Sequence, residues 1–406
     1  MDVRSELVER FLRYTAIESQ SDERSTSLPS TPGQLELAKL LAAEMHALGL
    51  DEVHVDDNAI VTGVKRANSP SAPTLGFIAH LDTADVGLSP HIRPQIKRFT
   101  GEDLCLHPGH DIWFRASEHP EVRAWRGHDI IFSDGTSVLG ADNKAAIAII
   151  MTLLSRLDPA GAHGDIRVAF VPDEEIGLRG AKALDLSRFQ CDFAYTIDCC
   201  EVGEVVIETF NAADGEITFT GISAHPMAAK GVMVNPLLMA QDFIAGFDRK
   251  ETPECTEERE GYFWFSKLVA NDSAARLSVM VRDFDRLAFE RRKQRIFEVA
   301  ELVRRRYTQG HVNVNITDIY RNISDSLAGD RRALDLLLRA MGGLQITPKL
   351  VPMRGGTDGS ALSARGLPTP NFFTGAHNFH SQFEFLPIGA FETSFHVARR
   401  ICELAA

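Results

Sequence analysis

Apolar positions change their spacing along this chain, and the changes divide it into elements. Over 4–18, Leu7, Phe11, Leu12 and Ile17 recur at helical intervals and predict an amphipathic helix. Pro29-Ser-Thr-Pro32 reads as a helix start, with Thr31 as N-cap, Pro32 in the first turn and helical spacing over 35–48. Short apolar runs predict strands at Glu52–Val55, Ile60–Val64 and Thr74–Ala79. A long apolar helix over Ala145–Leu157 precedes a buried strand at Ile166–Val171, a helix at Ala181–Phe189 and a strand at Phe193–Ile197. Strands alternating with helices predict an α/β layer with a mostly parallel central sheet.

After Gly203 the texture changes. Val205–Phe210 and Glu216–Thr220 alternate like antiparallel strands, with further strands at Leu277–Arg282 and Val312–Ile319 and helices at Pro236–Phe247 and Ala288–Tyr307. This predicts a smaller α+β domain over 208–320, inserted into a discontinuous domain formed by 1–207 and 321–406. The 406-residue length agrees, because it exceeds what one core usually serves.

The net charge of −13 argues against general binding of nucleic acid or anionic membranes, which need a positive face. The basic run from Arg291 to Arg295, with Arg304, Arg305 and Arg306 following, lies on a stretch interleaved with Ile296, Phe297, Val299 and Leu302, the pattern of a solvated helix face. The opening Met1-Asp-Val-Arg-Ser-Glu lacks a signal-peptide core, and no stretch has the apolar length of a membrane span. The expected location is cytoplasmic. Six scattered cysteines without a Cys-x-x-Cys pair suit a reduced compartment and offer no sulfur-ligand zinc site.

Chemistry gathers at strand ends. Glu174 and Glu175 follow the apolar run Arg167–Val171, so one can hold a metal while the other works on a water molecule. His80 and Asp82 lie two apart at another strand end, where the His can bind metal and the Asp orient its ring. Asp142, in Leu139-Gly-Ala-Asp-Asn-Lys, is equally placed to be a helix N-cap. Asp198 ends a further strand, and His380 competes with His377 for any role. In α/β sheets ligands collect at the carboxyl ends of strands.

The order His-x-Asp, Gly-Ala-Asp-x-Lys, Pro-Asp-Glu-Glu-x-Gly, Asp after Tyr-Thr-Ile, then a C-terminal His resembles the M20 family of co-catalytic zinc peptidases. The nearest likeness is to its tripeptide aminopeptidases, and it runs through nearly the whole chain, including Ala229-Lys-Gly-Val-Met-Val-Asn235 and Arg354-Gly-Gly-Thr-Asp-Gly359. The resemblance implies a zinc-peptidase domain with the inserted domain as a lid. It implies two zinc ions, replaceable by cobalt or manganese, bridged by Asp142. His80 and Asp198 would complete one shell, and Glu175 and His380 the other. Glu174 would be the general base, Asp82 would orient His80, and His225 would stabilise the oxyanion. The family also implies a cis Asp142–Asn143 peptide.

The expected partner is a short peptide. Its carboxylate calls for a guanidinium, with Arg354 as first candidate and Arg282 and Asn322 as weaker ones. Two rival readings are a related dizinc hydrolase of dipeptides or N-acyl amino acids and a non-catalytic binding protein on the same fold. A homodimer stays open. Asn143 stands where the family often has Asp, Met227 where it has Gly, and His377 where it has Tyr. Cys199 and Cys200 replace glycines, read here as small packing residues, with oxidation sensitivity as the other reading.

Overall fold

The strand Leu75–His80 is buried along its whole length, and the larger of two units is built around it. This computed structural model describes residues 2–157 and 161–406. The larger unit takes the chain up to Ile207 together with Ile323–Val351 and Thr357–Ala406; the smaller takes Glu208–Asn322 and Pro352–Gly356.

An eight-stranded sheet runs in the spatial order 51–55, 61–65, 166–171, 75–80, 193–199, 371–373, 204–209, 349–353. Its middle four strands are parallel, and antiparallel strands flank them. Buried parallel strands require apolar side chains on both faces, which is why they read as continuous apolar runs. The helix Ala141–Ser155 lies between strands 75–80 and 193–199 and the outer helices Val3–Thr15 and Ile388–Ala405. That double cover explains why it is apolar all round.

Register brings the chemistry together. His80 pairs with Val171, and Ile78 with Thr196, so the three strands end side by side. The loops that follow carry Asp82, Glu174 and Glu175, and Asp198 sits at the same edge.

Two local expectations differ. The helix expected over 181–189 is confined to Arg179–Ala183. Asp185 ends it by starting a turn, its Oδ1 accepting from Ser187 N and its carbonyl from Arg188 N. Between 85 and 135, where no element is expected, Gln95–Arg98 and Asp129–Phe132 form a three-stranded sheet with Phe385–Pro387 from near the C-terminus. It packs through Phe99, Phe114, Phe132 and Phe385.

In the smaller unit an antiparallel sheet runs in the order 262–270, 274–283, 211–220, 311–320. Its alternating strands turn Ile217, Phe219, Leu277 and Val279 into one core with Phe243, Ile296 and Val299 from two helices. Pro352–Gly356, placed with the larger domain by the sequence reading, groups with this unit. Phe210 N donates to Gly355 O there at 3.2 Å. Among the described residues no helix is long and apolar enough to cross a membrane.

Candidate metal centre

His80 is buried, and its two ring nitrogens have separate tasks. Nδ1 lies 3.0 Å from the backbone carbonyl of Asp82 and 3.4 Å from Asp82 Oδ1. An N–H at Nδ1 leaves the Nε2 lone pair free to act as a ligand. The carboxylate of Asp82 is mainly occupied elsewhere, with Oδ1 accepting from Glu174 N at 3.0 Å and Oδ2 from Glu175 N at 3.2 Å. The ring is therefore oriented chiefly by the main chain of Asp82, while its side chain holds the Glu174-Glu175 loop in place.

Asp142 lies at a break in the helix start. Gly140 has φ +73°, which suits glycine, and the Asp142–Asn143 peptide is cis. The Asp142 carboxylate faces two histidines: Oδ1 is 2.9 Å from His80 Nε2, and Oδ2 is 3.1 Å from His380 Nε2. His380 Nε2 also lies 2.9 Å from Glu175 Oε1, and His80 Nε2 3.9 Å from Asp198 Oδ1.

Two triads result, His80–Asp142–Asp198 and Asp142–Glu175–His380, each with ligand atoms within 4.8 Å of one another. Two ligands of one tetrahedral zinc lie roughly 3.3 Å apart when the bonds are about 2.0–2.1 Å. The closest nitrogen–oxygen spacings here fall a few tenths of an ångström short of that. His80, Glu174 and Glu175 also group together, but it is Glu175 that contacts His380.

A model of peptidase family M20/M25/M40 matches residues 140–404. A peptidase T-like protein of Rhizobium meliloti is 67% identical over 100% of both chains. The chain belongs to peptidase family M20/M25/M40. A peptidase T of a Geobacillus species is 42% identical over 95% of both chains. The solved aminopeptidase PepT of Bacillus cereus shares the fold, with a TM-score of 0.77 over 99% of this chain and 98% of that one, at 23% identity. The family assignment makes the chain a peptidase, as its motifs implied.

Electrostatics in this M20 centre favour cations. Burial, opposed by His80 and reinforced by Asp198 and Glu175, holds the Glu174 carboxyl well above the usual range. Burial and Asp142 do the same to Asp198 and push Glu175 up to about 7. His380 is pushed up to about 11 by its hydrogen bonds to Asp142 and Glu175. For His80, burial is outweighed by Asp142 and Asp82, and the ring is held well above its usual value. Six buried or nearly buried carboxylates (Asp82, Asp142, Glu174, Glu175, Asp198 and Asp358) surround two histidines. That excess of negative charge, with nitrogen and oxygen donors, fits divalent ions such as zinc.

Four side chains at the centre were given no role in the sequence reading of the site. Asn143 Nδ2 donates to Asp198 Oδ1 at 2.9 Å and to Ile197 O at 2.8 Å. Asn371 accepts from Asp198 N at 2.7 Å and donates to Asp198 O at 2.9 Å. Glu384 accepts three backbone N–H groups from residues 139–142. Asp358 is buried, and its Oδ1 has no hydrogen-bond partner. Of these, Asn143 and Asp358 had a local signal, the first as the residue after the bridging acid and the second as an acid following Gly-Gly-Thr.

His377 stays outside the triads. It stacks on Phe385 with ring centroids 4.7 Å apart and accepts from Trp125 Nε1. Cys199 is buried and Cys200 half-buried, and burial pushes both thiols well up.

The other candidates belong to the smaller unit. His225 is exposed, and its Nδ1 accepts from Met227 N at 3.2 Å, so a neutral ring carries its proton on Nε2. Arg354 Nη1 donates to the carbonyls of Glu258 and Glu260, and Nη2 to Thr256 Oγ1. Its guanidinium lies 5.3 Å from the ring centroids of both Phe210 and Tyr262. Arg282 Nη1 reaches Ala213 O and Asp214 Oδ1. Asn322 is taken up in its own unit's network, accepting from Thr209 N and donating to Phe284 O.

Proposed function

We propose that this chain is a two-metal aminopeptidase that removes the N-terminal residue from tripeptides. The observation that carries the reading is the Asp142 carboxylate, each of whose oxygens faces a different histidine, and each histidine has its own second carboxylate. The names borne by relatives, peptidase T and aminopeptidase PepT, support the substrate class.

His80, Asp142 and Asp198 would hold one zinc ion, and Asp142, Glu175 and His380 the other. Two such ions, when bound, lower the pKa of a water molecule and polarise the scissile carbonyl. Glu174 takes the proton of the attacking water on its carboxylate and returns it to the leaving amine nitrogen. Its burial suits both halves of that cycle, because a carboxyl with a raised pKa gains a proton readily and holds it for the leaving group. Asp82 keeps Glu174 in place through the backbone. His225 donates from Nε2 to the developing oxyanion.

Arg354 takes the peptide carboxylate. Three of its five N–H groups are committed to its own unit, which leaves Nε and one Nη2 hydrogen as a fork. Arg282 pairs across the sheet with Tyr262, the residue under Arg354, and adds positive charge there. Asn322 ties Thr209 to Phe284, just past the strand Ala274–Asp283 that carries Arg282. We place the reaction in the cytoplasm, in line with the six free cysteines.

Hydrolysis of Met-Gly-Gly, Met-Gly and N-acetyl-Met-Gly-Gly by metal-loaded protein tests the reading. Cleavage confined to the free tripeptide, and lost in Glu174→Ala, is expected. Cleavage of the acetylated peptide or the dipeptide instead would favour the related amide hydrolases.

A further inference from the structure

The second triad joins residues from distant parts of the chain, Asp142 and His380, and neither lies in a regular strand. Something other than sheet register has to set their separation. Glu384 follows His380 by four residues and is buried. Its Oε2 accepts from Leu139 N at 2.7 Å and Gly140 N at 2.8 Å, and its Oε1 from Asp142 N at 3.1 Å. One carboxylate thus gathers three N–H groups of the turn that presents Asp142. At its own end, Glu384 N donates to Ser381 O at 3.1 Å. Phe385 is bridged to His377 and paired with Phe132. The His380 loop is closed at its base by strand pairing and bound to the Asp142 turn by one side chain.

The other half of the centre has a different anchor. Asn143 is buried, and its Nδ2 bridges Ile197 O and Asp198 Oδ1. It ties the same turn to the strand that carries Asp198. The two anchors share no hydrogen-bond partner in these contacts.

We propose that Glu384 and Asn143 are positioning residues with divided labour. Glu384 sets the spacing of Asp142 and His380 and so governs the ion held with Glu175. Asn143 sets the Asp198 carboxylate and so governs the ion held with His80. This inference rests on the two-metal reading and concerns how this chain builds each half separately. A carboxylate is suited to the first task because its two oxygens accept several N–H groups at once. An amide is suited to the second because its NH2 group donates to a carbonyl and a carboxylate together.

The test is zinc binding to metal-free protein, read as two stepwise dissociation constants by competition with a chromophoric chelator. His380→Ala and Asp198→Ala assign each step to its half. Glu384→Gln is expected to weaken the step lost in His380→Ala by about 10–100-fold, the usual effect of removing a partner behind a metal ligand. It should leave the other step nearly unchanged. Asn143→Ala is expected to give the reverse pattern. Glu384→Asp keeps the charge but falls one methylene short, and weakens the same step if Glu384→Gln does not fold. Thermal melting of the metal-free variants checks folding separately. Equal weakening of both steps, or no change in either, overturns the division of labour. Wild-type protein that binds fewer than two ions overturns the two-metal reading, and this inference with it.

Discussion

Asp82 accepts the backbone N–H of Glu174 at 3.0 Å, so the loop carrying the proposed base is held by a side chain from the loop after the neighbouring strand Leu75–His80. The same carboxylate takes Glu175 N, while the His80 ring rests chiefly on the carbonyl of Asp82. Asp82→Ala therefore keeps the main support of His80 and strips that of Glu174. Expected is a fall in kcat of about 10–100-fold with the His80-side zinc affinity little changed. Two buried donors left unpaired should also lower stability by about 1–3 kcal/mol each. A variant that loses zinc and activity in equal measure would place Asp82 behind the metal ligand instead.

Glu174→Gln removes the proton acceptor and nearly preserves the shape. The expected result is a kcat lower by about 10²–10⁴-fold, with two ions still bound and KM little altered. Steady-state kinetics alongside metal analysis separates this from a binding defect. Retention of most of the activity would remove Glu174 from the mechanism.

Chelation should abolish hydrolysis, and zinc, cobalt or manganese should restore it. Ligands that bind only the folded state raise its stability, by about 2.7 kcal/mol per site at a hundredfold excess over Kd. The melting midpoint should rise with added zinc in the wild type and rise less in His380→Ala. A midpoint indifferent to zinc would argue against this centre as the binding site.

Arg354→Ala should raise KM for tripeptides far more than for their amidated counterparts, because it is the charged terminus that needs the fork. The structure adds a second consequence. Arg354 also satisfies two carbonyls and covers two aromatic rings, so the variant should melt earlier. Arg354→Lys should recover little of either, since an ammonium cannot make the forked contact. An equal KM change for both substrates would reduce Arg354 to a packing role.

Thiol reagents should reach exposed Cys255 first and Cys199 and Cys200 slowly, since burial keeps both as neutral thiols. Activity should survive modification of Cys255. Rapid inactivation that tracks labelling of Cys199 or Cys200 would restore the oxidation-sensitive reading.

By itself, the sequence was enough to place His80, Asp142, Glu174, Glu175, Asp198 and His380 as candidates and to expect a parallel sheet. Buried parallel strands announce themselves as unbroken apolar runs, and polar residues at their ends stand out against that background. The strands between 95 and 132 escaped because three- and four-residue strands are too short to show a period. Only tertiary structure decided that Asp82 serves Glu174 more than His80, that Arg354 belongs to the smaller unit, and that Glu384 and Asn143 brace the centre. Each of these rests on hydrogen bonds between segments tens to hundreds of residues apart. Such bonds depend on where the chain returns in space, and that leaves no local periodicity for a sequence pattern to reveal.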